Sequence, residues 1–215
     1  MKKAIILDLD GTLVNSLPDI SAAMNRSLEK HGLPPFPEDS YRYMVGKGVF
    51  HLTRCAVNGQ DDRFDEVLKD YMADYSENCL VNSYAYSGMR EALLTLSEKG
   101  FSLCVFSNKD QADAEQVVHF CYPDIQFACI RGRNDGVPVK PDPAGALLIV
   151  SGLGIRANEC WYVGDTSTDM QCGNAAGMET IGVLWGFRTE SELLESGACH
   201  IAKCPADLVR IALPE

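Results

Sequence analysis

The chain has 215 residues, 46% of them hydrophobic, and a formal net charge of −11. That length suits one large domain or a domain with a modest insertion. The acidic balance argues against nucleic acid or an anionic membrane as a general partner, while leaving room for a small anionic substrate at a locally positive site. No apolar stretch approaches the ~20 residues that would span a bilayer.

The opening "MKKAIILDLDGT" has two lysines and a short apolar run, but acids interrupt it after four apolar positions and no small-residue cleavage site follows. A cytoplasmic location is therefore expected. Nine cysteines, at 55, 79, 104, 121, 129, 160, 172, 199 and 204, are odd in number and irregular in spacing. They read as reduced, buried thiols, and "CHIAKC" (199–204) lacks the second ligand pair that a closed zinc site needs.

In chain order, "AIILDLDG" (4–11) predicts a first strand ending in acids. From Leu17 to Asn82 the patterns are helical only. "PDISAAMNRSLEKHG" (18–32) has a first-turn proline and a terminal glycine, "GLPPFPED" (32–39) breaks between helices, and "RFDEVLKDYMADYSENC" (63–79) keeps a helical period. Strands and helices then alternate. "MREALLTLSEKG" (89–100) is an amphipathic helix stopped at Gly100, and "FSLCVFSNK" (101–109) is a strand. "DQADAEQVVHFCYP" (110–123) is a helix halted by Pro123, and "IQFACIRG" (125–132) is a strand. "DPAGALLIVSGLG" (142–154) starts a helix near Pro143. The strands "CWYVGDT" (160–166) and "ETIGVLWG" (179–186) follow, and "TESELLESG" (189–197) opens with a Thr189–Glu192 capping box.

The strands show little polar alternation, which suits burial on both faces, and the alternation of elements implies right-handed crossovers. The fold class predicted is α/β: a Rossmann-like parallel sheet core with an α-helical cap inserted after the first strand. The expected division is a core from 1–14 and 84–215 and a helical insertion at 15–83.

Ligands of such sheets bind beyond the carboxyl ends of the strands. Four polar groups are expected to converge there: Asp8 with Asp10, Ser107 with Asn108, Lys140 in "VKPDP", and Asp165 with Asp169 in "GDTSTDM". Carboxylates meeting at one point need a cation, and oxygen ligands with waters retained suit Mg²⁺.

"DLDGT", "SN", "KPDP" and "GDTSTD", in this order, resemble the four motifs of the haloacid dehalogenase superfamily. "DGTLVNSLPDI" further resembles its phosphoglycolate phosphatase-like branch. The resemblance implies a Mg²⁺-dependent phosphatase acting on a small phosphorylated metabolite, with neither nucleic acid nor membrane as partner, as a monomer or homodimer. It implies that Asp8 is the nucleophile. By the same resemblance Asp10 would be the acid that protonates the leaving oxygen and then activates water. Asp8, Asp10 (through its carbonyl) and Asp165 would be the metal ligands, with Asp169 behind them. Ser107, the Asn108 amide, Gly11 and Thr12 would bind phosphate, Gly11 by freeing the backbone for close approach and the amides after Asp8 as a small anion nest. Lys140 would neutralise accumulating charge.

An acid at position 10 points to attack on phosphorus, since members that remove halide from carbon lack it. Lys47, between Gly46 and Gly48, is a candidate for reaching a substrate carboxylate, or else a solvated charge. Lys109 is expected on the surface. The family often has Asp where Asn15 stands and proline where Ser87 stands. A sugar-phosphate mutase, a pyrophosphatase or a phosphonate hydrolase shares the same motifs. A catalytically inactive binding protein on this fold is the alternative of another class.

Overall fold

The computed structural model describes residues 2–134 and 136–213. At its centre is strand β1 (Ala4–Leu7), whose four residues are fully buried. Beyond the turn that follows β1, the chain makes a short antiparallel ribbon from β2 (Val14–Asn15) and β3 (Tyr84–Ala85). Between these two short strands run helix α1 (Leu17–Lys30), α2 (Val49–Val57) and α3 (Phe64–Asn78), with 3-10 turns at Glu38–Tyr43 and Asp61–Arg63. The helical patterns expected from Leu17 to Asn82 are thus present, and no strand interrupts them among the described residues.

Helix α1 begins at the proline-bearing turn and ends where Gly32 takes a φ of +71°. Buried Asp19, one turn into it, accepts from the backbone amides and side chains of both Asn82 and Ser83 at 2.8–3.1 Å. One carboxylate therefore ties the outgoing helix to the returning chain. Beside it, Asn15 Nδ2 donates to Tyr84 Oη at 2.9 Å.

The rest of the chain alternates helix and strand: α4 (Met89–Glu98), β4 (Ser102–Asp110), α5 (Gln111–Cys121), β5 (Cys129–Arg133), α6 (Ala144–Leu153), β6 (Cys160–Gly164), α7 (Ser167–Ala175), β7 (Glu179–Val183), α8 (Glu190–Glu195), β8 (His200–Ala202) and α9 (Pro205–Ala212). The six long-sheet strands are parallel in the order β5-β4-β1-β6-β7-β8. Strand β8 and helix α9 are additions to the elements expected from sequence. β8 is three residues long and only half-buried, so it lacks an apolar run that would announce it.

The absence of polar alternation has a direct cause. Ile5, Leu7, Leu103, Val105 and Val163 pack on one face against α4, α5 and α9, and Ile6, Cys104, Phe106 and Tyr162 pack on the other against α6 and α7. Both faces are covered, so both alternating sets must be apolar. All nine cysteines are free thiols. Cys199 and Cys204 are exposed, which departs from the expectation of burial at those two positions. No described helix is long and apolar enough to cross a membrane.

Candidate active site

Parallel register brings the polar residues to one level. Leu7 pairs with Val105 on one side and Val163 on the other, so the chain leaves β1, β4 and β6 at the same edge of the sheet. Asp8 follows β1 at the point where the strand order runs both ways, the usual crevice of a wound sheet. Ser107 lies two residues beyond Val105, and Asp165 two beyond Val163.

Lys140 reaches this crevice from the loop before α6. Its buried Nζ lies 2.6 Å from Asp8 Oδ1, 2.7 Å from Asp169 Oδ1 and 3.0 Å from the Phe106 carbonyl. All three ammonium protons thus have acceptors. Burial opposes its charge, but Asp169 and Asp8 outweigh that and hold the ammonium on. Asn108 fixes the loop from below, its Oδ1 accepting from Lys140 N at 2.8 Å and its Nδ2 donating to Lys140 O at 3.1 Å and Gly46 O at 3.0 Å.

Asp8, Asp165 and Asp169 are buried, and one carboxylate oxygen from each lies within 4.8 Å of the others. Asp165 Oδ2 accepts the Phe187 amide at 2.7 Å, and Thr12 Oγ1 donates to its Oδ1 at 3.3 Å. Burial, then Asp169, pushes its carboxyl up to about 7 against the pull of the Phe187 amide. Burial and then Asp169 likewise raise Asp8, with Lys140 pulling the other way. Three buried acids balanced by one lysine leave an excess of negative charge. A hard dication with oxygen ligands fits that donor set.

Asp169 is the least available of the three. Its Oδ1 takes Lys140, and its Oδ2 takes the Thr166 amide and hydroxyl at 3.1 and 2.6 Å in the capping box of α7. One oxygen thus serves the start of α7 while the other faces Lys140.

Three glycines let the acids pack this closely. A Cβ on Gly11, where φ is +86°, would lie 2.2 Å from Asp165 Oδ2, and one on Gly186 would lie 2.3 Å from Asp165 Cβ. One on Gly164 would lie 2.2 Å from Asp169 Cβ.

Asp10 lines the same cavity as Asp8 but has different partners. Its Oδ1 accepts from Ser16 Oγ at 2.5 Å and lies 3.1 Å from Lys109 Nζ. Lys109 is not on the surface as expected: its side chain is 6% exposed and also donates to Tyr75 Oη at 2.7 Å. Burial disfavours its charge, but Asp10, first among the opposing groups, keeps its pKa raised. The sequence offered no sign of this, because the partner Tyr75 lies in α3, far away in the chain.

Other expected residues are placed differently. The Gly11 and Thr12 amides donate within the turn, to Val14 O at 2.8 Å and Leu9 O at 3.2 Å. These two amides are therefore not free to join an anion nest after Asp8, since the turn that redirects the chain already uses them. The Thr12 side chain faces Asp165. Lys47 is exposed, and although Gly46 and Gly48 line the cavity above Asp8, its own side chain does not. Ser107 and Asn108 do line that cavity, and Ser107 Oγ accepts the Lys109 amide at 3.2 Å.

Sequence reasoning missed Arg188. It donates to the Val45 carbonyl at 3.1 Å and to that of Arg42, and its guanidinium stacks 4.8 Å from the Tyr43 ring centroid. Arg42 in return donates to Gly186 O at 2.8 Å. The available signal was "GFR" just past the last apolar strand, at the same sheet edge as the acids.

The haloacid dehalogenase-like hydrolase family model matches residues 5–183. The chain belongs to that family and, within it, is a phosphoric monoester hydrolase. It is 30% identical to the phosphoglycolate phosphatase of Mannheimia succiniciproducens, with 97% of each chain covered. It is also 30% identical to the phosphoglycolate phosphatase of Aquifex aeolicus, over 97% of this chain and 96% of that one. A crystal structure from Lactobacillus delbrueckii subsp. bulgaricus matches with a TM-score of 0.94 at 27% identity, covering 100% of both chains.

Proposed function

We propose that the chain hydrolyses a small phosphomonoester in two steps through a phosphoaspartyl intermediate on Asp8, with Mg²⁺ held by Asp8, Asp165 and the Asp10 carbonyl. The single observation that carries this is Lys140 Nζ lying 2.6 Å from Asp8 inside a buried set of three acids. A carboxylate so held is oriented as a nucleophile, and its charge is balanced as phosphoryl oxygens approach.

In the first step Asp8 Oδ attacks phosphorus while the ester P–O bond breaks. The leaving oxygen takes the Asp10 proton. In the second step Asp10 removes a proton from water, the water oxygen attacks phosphorus, and the acyl-phosphate bond breaks to return Asp8 and release inorganic phosphate. When bound, Mg²⁺ supplies Lewis-acid stabilisation of the phosphoryl oxygens. Ser107 and Asn108 line the cavity beside Asp8, and the Ser107 Oγ and Asn108 amide are assigned to the phosphoryl oxygens. Asp10 also lines the cavity, which supports its assignment to proton transfer at the ester oxygen.

Helices α1–α3 act as a cap over the strand ends and exclude water during the first step. The cap division is 15–83, with the core at 1–14 and 84–215. The relatives' name makes phosphoglycolate the reference substrate. The test is release of phosphate from a panel of phosphate esters with and without Mg²⁺. Asp10→Asn should retain label from a phosphate-labelled ester, and Asp8→Asn should not. Hydrolysis that persists undiminished in Asp8→Asn would refute the scheme.

A further inference from the structure

The cavity over Asp8 continues away from the phosphoryl end between β4 and the helical segment. Its walls there are Ile20, Val49, Leu52, Tyr71 and Met72. The Tyr71 and Tyr75 rings stack at 5.6 Å between centroids and form one side. Charged groups in this half are Lys109, Asp110 and Asp113.

The one cation that lines it is already matched, as is the nearby Arg133. Lys109 pairs with Asp10 and Tyr75, and Arg133 pairs with Asp110. Asp113 has no basic partner within ion-pair distance among the described residues. Burial raises its carboxyl against the pull of Lys109. Lys47, the cation expected to meet a carboxylate, is exposed and outside the cavity.

A carboxylate on the leaving group would thus enter an apolar enclosure facing an acid, with no uncommitted counter-charge. Burying an unpaired charge is unfavourable, whereas an uncharged body gains from apolar contact. We infer that the leaving group accepted by this chain has an uncharged, largely apolar body and that phosphoglycolate is a poor substrate. This rests on the proposed phosphomonoester hydrolysis and narrows its substrate class.

The test compares kcat/KM for propyl phosphate, phosphoglycolamide and phosphoglycolate at one pH with Mg²⁺. The two esters with uncharged leaving groups should exceed phosphoglycolate by on the order of tenfold or more, the discrimination expected for an unpaired charge. Phosphoglycolate equal to or better than both would overturn this inference while leaving the hydrolytic scheme intact. No turnover of any of the three, nor of an aryl phosphate, would overturn the scheme itself and the inference with it.

Met72→Lys provides a second measurement, because it places an ammonium in the cavity on a stem of similar length. In that variant the phosphoglycolate-to-propyl phosphate ratio should rise about tenfold. An unchanged ratio in folded, active variant protein would also overturn the inference.

Discussion

Lys109 Nζ lies 3.1 Å from Asp10 Oδ1 and, on its other side, 2.7 Å from the Tyr75 hydroxyl of α3. A core strand end, the proposed acid–base residue and the helical segment therefore meet at one buried ammonium. Removing it leaves Asp10 with Ser16 alone and breaks the link to α3. Lys109→Met is expected to lower kcat at least tenfold and stability by roughly 1–3 kcal/mol, the cost of leaving a partly buried charge unpaired. Lys109→Arg should recover part of the rate, since it keeps the charge. Steady-state kinetics and urea unfolding of both variants check this, and a Lys109→Met enzyme with wild-type kcat would contradict it.

Asp8 is held with its carboxyl raised because burial and Asp169 outweigh Lys140. Asp8→Asn removes one of three clustered negative charges and keeps the shape. The expected result is loss of turnover by a factor of about 10³ or more, together with metal-free thermal stability equal to or above that of the wild type. A fall of many degrees in Tm would show that the Asp8–Lys140 pair is net stabilising and would contradict the reading of crowded charge.

Magnesium should stabilise the folded chain by binding the same cluster. At a hundredfold excess over Kd the gain is about 2.7 kcal/mol, visible as a rise in Tm. Asp165→Ala should abolish the Mg²⁺-dependent rise, and Lys47→Ala, exposed and outside the cavity, should leave it unchanged. Equal shifts in Asp165→Ala and wild type would remove Asp165 from the metal site.

Gly11→Ala tests the packing of the acids. The new Cβ would lie 2.2 Å from Asp165 Oδ2, on a backbone at φ +86° where L side chains are strained. Asp165 cannot move aside easily, because Phe187 N and Thr12 hold it. Stability should fall by at least about 2 kcal/mol, with loss of Mg²⁺ affinity. Chemical denaturation and a Mg²⁺ thermal shift on the same sample measure both.

Burial raises the Asp113 carboxyl in the folded chain, with Lys109 pulling the other way and Asp110 and Asp10 adding repulsion. A carboxyl whose folded pKa is raised favours folding when protonated. Its stabilising effect is therefore complete below the ordinary carboxylate pKa of ~3.9 and is lost as pH rises through the raised value. Asp113→Asn cannot ionise, so it should be more stable than wild type at neutral pH, with the difference shrinking towards pH 4. A difference that grows on acidification would reverse the sign of the argument.

The order of strands and helices was written in local patterns. Apolar runs such as 4–7 and 160–164 have no polar face because both faces are covered, and Gly100, Pro123 and the Thr189–Glu192 box mark helix ends through backbone chemistry alone. The acids at 8, 10, 165 and 169 were legible for a similar reason: clustered charge just past a buried strand has few other uses, and motif order gives the family. Contacts between distant segments were not legible. Lys109 looks like an ordinary strand-end lysine until α3 brings Tyr75 over it, and Lys47 looks like a substrate ligand until its loop turns the side chain to solvent. Arg188 gains its role only when the chain past β7 meets the Arg42–Val45 segment. Local sequence determines which backbone conformation is cheapest and where charge is concentrated. Which lysine is buried, and which acid it neutralises, follows from packing between segments far apart in the chain, and only the tertiary structure decided that.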